Sequence, residues 1–303
     1  MKKRTYLAIK SIINKYSKIT NISFIKSLIN RFGLKRKITQ TIKKLKKLKS
    51  KYVLANIHFE QNNIYFDWAH NISLIFSEQY GGFLYKSEKE KQSIEILLQK
   101  IDKKTIFFDI GANIGIYSLI MAKEKNCKTY SFEPVKKTQE LLQQNIRLNK
   151  LDNKISIEPY GLSNKDDTVF ITNTLGGRNH ITNHKKNTEK IIVKKLDSYI
   201  KQGRRENTVL KIDVEGHEMN VLEGGLKFIK KYKPKILVEI ELKHTTKEKI
   251  KNTFNILDNL DYNCLYVLTN KKKYKYNVNK FDENLNRGNN FYFEHNEDYA
   301  DNV

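Results

Sequence analysis

From Thr105 to Leu260 the chain alternates short runs of β-branched and aromatic residues with longer amphipathic segments, and this alternation limits the fold more than any other feature. The expected elements are strand 105–110, helix 114–124, strand 128–133, helix 135–149, strands 155–160 and 168–172, strand 208–213, helix 217–231, strand 235–241 and helix 247–260. A helix from Glu88 to Lys100 precedes them, and strand-like stretches 262–268 and 290–294 close the chain. Helices of this length between strands imply right-handed crossovers, hence an α/β fold with a mostly parallel, doubly wound sheet. Apolar stripes support the helices: Met219, Leu222, Leu226 and Ile229 in one, Ile250, Phe254 and Leu257 in another.

In such a sheet a ligand binds beyond the carboxyl ends of the strands, where the first strand-to-helix turn comes close to it. That turn reads "FFDIGANIGIYS", Phe107 to Ser118. Gly111 and Gly115 permit a tight turn and close approach, and the next helix offers free N–H groups. The spacing is Asp-x-Gly-x-x-x-Gly with Asn113 between the glycines, which is neither a dinucleotide fingerprint nor a Walker loop. Asp109 would repel a pyrophosphate and suits a cationic ligand. The second strand, "KTYSFEP", ends in Glu133, placed to accept hydrogen bonds from two ribose hydroxyls. A nucleoside with a positive, phosphate-free tail fits this combination, and S-adenosylmethionine is such a molecule.

A second cluster lies in "LKIDVEGHEMNVLEGG", Leu210 to Gly225. Asp213, Glu215, His217 and Glu218 crowd the turn after one strand, and "KILVEIE" brings Glu239 and Glu241 beside them. With "SFEP" (131–134), "GLSN" (161–164), "KLDSY" (195–199) and "PKILVEIE" (234–241), these motifs resemble the FkbM family of S-adenosylmethionine-dependent methyltransferases from about residue 85 to 295. The resemblance implies a Rossmann-like class I methyltransferase fold with an antiparallel terminal strand, S-adenosylmethionine as donor, and O-methylation, often of sugars or natural products. It implies that Asp109, Gly111, Asn113 and Gly115 line the donor and that Glu133 holds the ribose. Gly161, Leu162 and Ser163 would lie near the adenine, and Asp213, Glu215 and His217 would face the acceptor.

A sugar hydroxyl is too weak an acid to ionise at neutral pH, so transfer to it needs a base. Asp213, at the strand tip, and His217, which titrates near neutrality, are the candidates. Glu215 and Glu218 have a second reading as first-turn acids that complement the helix dipole, and His180 in "LGGRNHI" as a loop residue within reach of the acceptor. Asp213, Glu239 and His217 lack metal-ligand spacing, so no metal is expected.

Charge is unevenly spread. Residues 1–59 hold 17 Lys and Arg and no acid, leaving +7 of the net +24 to the other 244 residues. Apolar positions at helical spacing make residues 1–51 a basic amphipathic helical extension, ahead of a methyltransferase domain over 52–303. Within the latter, 52–100 form a flank or lid, partly an antiparallel unit from "NIYFDW" and "ISLIF", and 101–303 the Rossmann-like core. The extension suits an anionic membrane surface, an RNA acceptor, or a solvated arm. An RNA methyltransferase and a non-catalytic, membrane-docked protein of the same fold are the alternative functions. Against them, "NPPY"-type chemistry for base amines is missing, and the donor loop is intact. Lysines interrupt the apolar residues after the start, unlike a signal peptide, and Cys127 and Cys264 suggest neither a disulfide framework nor a zinc site. A cytoplasmic location, with or without docking at a membrane surface, is expected.

Overall fold

The computed structural model describes residues 53–56, 73–76, 88–173, 179–183, 186–203, 207–269 and 272–297. The basic extension over 1–51 and the "NIYFDW" stretch lie outside the described residues. Strands β1 (Val53–Asn56) and β2 (Ser73–Phe76) pair antiparallel, and helix α1 (Glu88–Lys100) follows. Next come β3 (Ile106–Ile110), α2 (Ile116–Lys125), β4 (Lys128–Phe132), α3 (Lys136–Leu148) and β5 (Ile155–Glu158). Four short strands come after these: β6 (Gly161–Leu162), β7 (Asp167–Thr172), β8 (Ile181–Thr182) and β9 (Thr188–Lys194). The last third holds β10 (Thr208–Ile212), α4 (Glu218–Glu223), α5 (Leu226–Tyr232), β11 (Lys235–Glu239), α6 (Lys247–Asp258), β12 (Tyr262–Leu268), β13 (Lys273–Lys275), α7 (Phe281–Arg287) and β14 (Asn290–His295).

The main sheet runs β13-β12-β14-β11-β10-β3-β4-β5. From β11 to β5 it is parallel, and β14 lies antiparallel between β11 and β12, the expected Rossmann-like arrangement with an antiparallel terminal strand. Side chains alternate across a strand, so β3 sends Phe107 to one face and Ile106, Phe108 and Ile110 to the other. Phe107 joins Leu97, Leu119, Leu142 and Ile146 from α1 to α3. Phe108 joins Leu222, Phe228, Ile229, Ile250 and Leu257 from α4 to α6. Burial on both faces is what a central parallel strand requires, and all of β3 and β10 is buried.

Two expectations need correction. The stretch 217–231 is not one helix: α4 ends at Glu223 and α5 begins at Leu226. Gly224 and Gly225 form the joint because other chain segments press on it. A Cβ on Gly224 would stand 1.9 Å from the Ser163 carbonyl oxygen, and one on Gly225 would stand 2.8 Å from Leu196 Cδ2. The break turns Leu226 out of the expected stripe to 42% exposure. The strand expected at 168–172 is not in the main sheet. It is part of β7 in a four-stranded sheet, β6-β9-β7-β8, whose other members are short or Lys-interrupted. Among the described residues no helix is long and apolar enough to cross a membrane.

Candidate active site at the switch between β3 and β10

From β3 the chain steps to β4 and β5 on one side, and it later returns to place β10 and β11 on the other. The crevice beyond the carboxyl ends of β3 and β10 is therefore the topological switch point, where α/β sheets bind ligands. Gly111 (φ +80), Asn113 (φ 53) and Gly115 (φ +92) all take left-handed conformations there, which makes the turn tight. Gly111 and Ala112 donate their N–H groups to the Phe132 carbonyl, and Asp213 donates to that of Ile110. The loop is thus pinned to both neighbouring strands.

Glu133 sits beside this loop, nearly buried. Its Oε2 accepts from Asn113 N at 3.0 Å and its Oε1 from Val135 N at 2.9 Å. Burial outweighs these bonds and pushes its carboxyl up to about 7. Each oxygen keeps a further lone pair for a ligand. Asn113 Oδ1 is buried with no hydrogen-bond partner in the protein, an acceptor left for a donor on a bound molecule. Glu133 and Asn113 Oδ1 fit a nucleoside with a cationic tail.

The family resemblance assigns Asp109 to the lining of the donor. Asp109 is 1% exposed and lies beneath the loop. Its Oδ2 accepts from Ser118 N and Oγ at 3.0 and 2.6 Å, tying β3 to the first turn of α2. Its Oδ1 faces Lys211 Nζ at 3.8 Å, and burial raises its carboxyl above the usual range. Lys211 was not singled out by the sequence reading, although it stands in the "KIDVEG" string. Buried on β10, it also pairs with Asp213 Oδ2 at 3.0 Å and lies over the Tyr117 ring. The opposed effects of burial and of Asp213 and Asp109 leave its ammonium more firmly protonated than usual.

The acid cluster after β10 and β11 divides into distinct arrangements. Asp213, held by Lys211, is the partly exposed carboxylate at the strand tip. Glu218 is buried, accepts from Gly216 N at 2.9 Å and is pushed up to about 7 by burial, so it closes the turn before α4. Glu239 receives Lys89 Nζ at 2.6 Å and Asn289 Nδ2 at 2.9 Å, and burial followed by the charge of Asp213 raises it well above the carboxylate range. Glu241 is bonded by Asn289 and paired with Lys243. Glu215 and Glu241 flank one histidine that the sequence does not single out: His244 Nε2 is 2.6 Å from Glu215 Oε2 and 3.5 Å from Glu241 Oε2.

His217 does not stand with these acids. As the residue before α4 it places Nε2 2.9 Å from Ser163 Oγ, and burial, with a contribution from Lys249, holds its ring down to about 4. One residue expected at the acceptor and one expected near the adenine therefore meet in a single hydrogen bond. Gly161 and Leu162 form β6 against β9, with Leu162 buried. His180, beside β8, is near enough to His244 to disfavour protonation of that ring. Among the described residues no group of three or more His, Cys, Asp or Glu is arranged to hold a metal ion.

Comparison with known proteins places this geometry in a family context. The methyltransferase FkbM domain model matches residues 109–276, which include the glycine loop, Glu133 and both turns of the acid cluster. The chain is similar to the hexuronic acid methyltransferase AglP of Haloferax volcanii, at 29% identity over 140 residues that make up 45% of this chain and 56% of that protein. It is also similar to the methyltransferase sdnD of Sordaria araneosa, at 27% identity over 177 residues, 47% of this chain and 68% of that one. Among solved structures, a methyltransferase FkbM from Methylobacillus flagellatus aligns with a TM-score of 0.45 and 19% identity over 64% of this chain and 44% of that one. The chain thus spans about half the length of the Haloferax and Methylobacillus proteins.

Proposed function

The chain belongs to the FkbM methyltransferase family, and from that premise we propose that it is an S-adenosylmethionine-dependent O-methyltransferase acting on a hydroxyl of a sugar or related small molecule. The observation that carries the reading is the pairing of Glu133 with the left-handed Asn113 at the switch point, an arrangement that suits a ribose next to a phosphate-free cationic tail. The name of the Haloferax relative, a hexuronic acid methyltransferase, supports a sugar acceptor.

When bound, S-adenosylmethionine supplies a methyl group on a positively charged sulfur. Glu133 would accept the ribose hydroxyls, and Asn113 Oδ1 a donor on the amino-acid tail. Asp109 works from beneath, fixing the first turn of α2 through Ser118. Gly161, Leu162 and Ser163 would flank the adenine, with His217 steadying Ser163. Asp213, at the tip of β10, would accept a hydrogen bond from a neighbouring hydroxyl of the acceptor and so aim the reacting oxygen along the line of transfer, since near-attack geometry is a large part of such a rate. Residues 52–100 serve in this reading as a flank of the acceptor side, ahead of the core over 101–303.

The test is calorimetric titration with S-adenosylhomocysteine and with NAD, followed by release of S-adenosylhomocysteine from S-adenosylmethionine in the presence of D-glucuronate, D-glucose or D-galactose. Micromolar binding of S-adenosylhomocysteine alone, with turnover on a sugar, is the expected result. Absence of that binding overturns the proposal.

A further inference from the structure

We propose that His244, held against Glu215, is the base that takes the proton from the acceptor hydroxyl; this rests on the O-methyltransferase reading above. The candidates visible in the sequence are poorly suited. Asp213 is committed to Lys211, whose Nζ donates to its Oδ2 at 3.0 Å, so that oxygen is already occupied. His217 spends Nε2 on Ser163 Oγ at 2.9 Å.

His244 and Glu215 come from two loops beyond the carboxyl ends of adjacent strands, β10 and β11. They meet because the loops are pressed together at one glycine. Gly216 has φ +99, and a Cβ on it would stand 2.6 Å from the His244 carbonyl oxygen. Glu215 itself is held at φ 53, a conformation that costs a non-glycine residue energy and that concentrates at functional sites. A turn closed by His244 N on the Glu241 carbonyl fixes the histidine's backbone. The contact brings His244 Nε2 to 2.6 Å from Glu215 Oε2, yet that nitrogen makes no well-aligned hydrogen bond. Such bent contacts between an imidazole and its orienting acid commonly straighten only when substrate arrives. Both side chains remain about one-fifth exposed, open to a molecule entering the mouth.

In the proposed step, a lone pair of the acceptor oxygen forms the O–C bond to the methyl carbon while the electrons of the S–C bond return to sulfur. The hydroxyl proton passes to His244 Nδ1, the nitrogen that Glu215 does not face. Ionised Glu215 then stabilises the imidazolium through Nε2–H, as an orienting acid does for a histidine base. Glu215 is in this sense a positioning residue.

Protonation of the pair removes the base, so turnover rises with pH as the pair loses its proton. The groups facing it are Asp213 after β10, Glu218 on α4, Glu241 and Lys243 after β11, and His180 beside β8. Burial, followed by the charge of Asp213, pushes Glu215 up to about 7, whereas burial and Lys243 depress His244. The apparent value belongs to the two together.

The experiment compares wild type, His244→Gln and Glu215→Gln, using S-adenosylmethionine with the three sugars named above and ring-labelled histidine NMR. His244→Gln is expected to lower kcat by about 10²- to 10³-fold and to abolish the rising limb of the pH profile, with S-adenosylhomocysteine affinity unchanged. Glu215→Gln should lower kcat less and displace that limb. A merely structural histidine would leave the limb in place, and a retained limb, or kcat within threefold of wild type, overturns the proposal. Should no sugar be turned over, the NMR titration decides: the His244 resonance must shift its midpoint in Glu215→Gln, and an unmoved midpoint overturns the pair. Wild type that fails to bind S-adenosylhomocysteine would instead refute the methyltransferase reading, so the two failures are separable.

Discussion

An ideal Cβ on Gly111 would lie 1.9 Å from the carbonyl oxygen of Asp213, so the loop after β3 and the tip of β10 touch backbone to backbone. No side chain can move to relieve that overlap, and Gly111 also needs φ +80. Gly111→Ala should therefore cost on the order of 2–4 kcal/mol, from strain at a special backbone position and a forced separation of β3 from β10. The same separation should weaken S-adenosylhomocysteine binding by at least about tenfold, the equivalent of ~1.4 kcal/mol. Denaturant melts and calorimetry measure the two effects. Gly115→Ala is a milder comparison, because the first atom met there is the far end of the Leu142 side chain.

Donor binding should depend on pH through Glu133. Its carboxyl is pushed up to about 7 by burial, and ribose hydroxyls donating to it favour the ionised form. Binding should then lower its pKa, release protons near neutrality, and tighten as pH rises from about 6 to 8. Calorimetry in buffers of different ionisation enthalpy reads the proton count. Glu133→Gln should bind more weakly and show no pH dependence in this range; a wild-type affinity that is flat with pH would exclude ribose contact with an ionised Glu133.

Lys211 is a buried cation between Asp109, which braces the glycine loop, and Asp213, at the tip of β10. Replacing it with Met keeps the volume and leaves buried Asp109 and partly exposed Asp213 without their shared counter-charge. Removing one member of a buried charge network costs about 3–5 kcal/mol. We expect Lys211→Met to lose stability by that order in chemical denaturation, and to recover part of it in the double variant with Asp109→Asn. Equal losses in the single and double variants would mean that Lys211 acts through packing on Tyr117 and not through charge.

The alternation of strands and helices made the parallel sheet legible, since central strands buried on both faces carry unbroken apolar runs such as "FFDI". The glycine loop was legible for a related reason: backbone that must turn left-handed, as at Gly111 and Gly115, restricts the residue type. Helix 217–231 misled because its apolar stripe continues through Gly224 and Gly225, and only the approach of Ser163 and Leu196 reveals the break. The small sheet was hidden because its strands expose one face and carry lysines. His244 and Lys211 were missed for opposite reasons. His244 depends on a contact between two loops that are distant in sequence, and Lys211 reads as a polar interruption in a strand until its two carboxylate neighbours are seen.

His217 gives a stability signature of its own. Its ring is held down to about 4 by burial, so below the ordinary histidine value the unfolded chain takes up a proton that the folded chain refuses. This contribution to stability is present above about pH 6.5 and is lost as pH falls toward 4, by at most about 3 kcal/mol. Glu133, Glu215 and Glu218, each raised to about 7, act in the opposite sense, because the folded state binds their protons first as pH falls through 7. The raw stability curve therefore mixes two slopes. The difference between wild type and His217→Gln removes the glutamate contribution: the wild-type advantage should shrink steadily from pH 6.5 to 4.5 in urea titrations. At pH 7 the variant should lose about 1 kcal/mol with the Ser163 hydrogen bond. A difference that stays constant across this range would show that His217 titrates as an exposed histidine does, and would return it to the list of candidate bases.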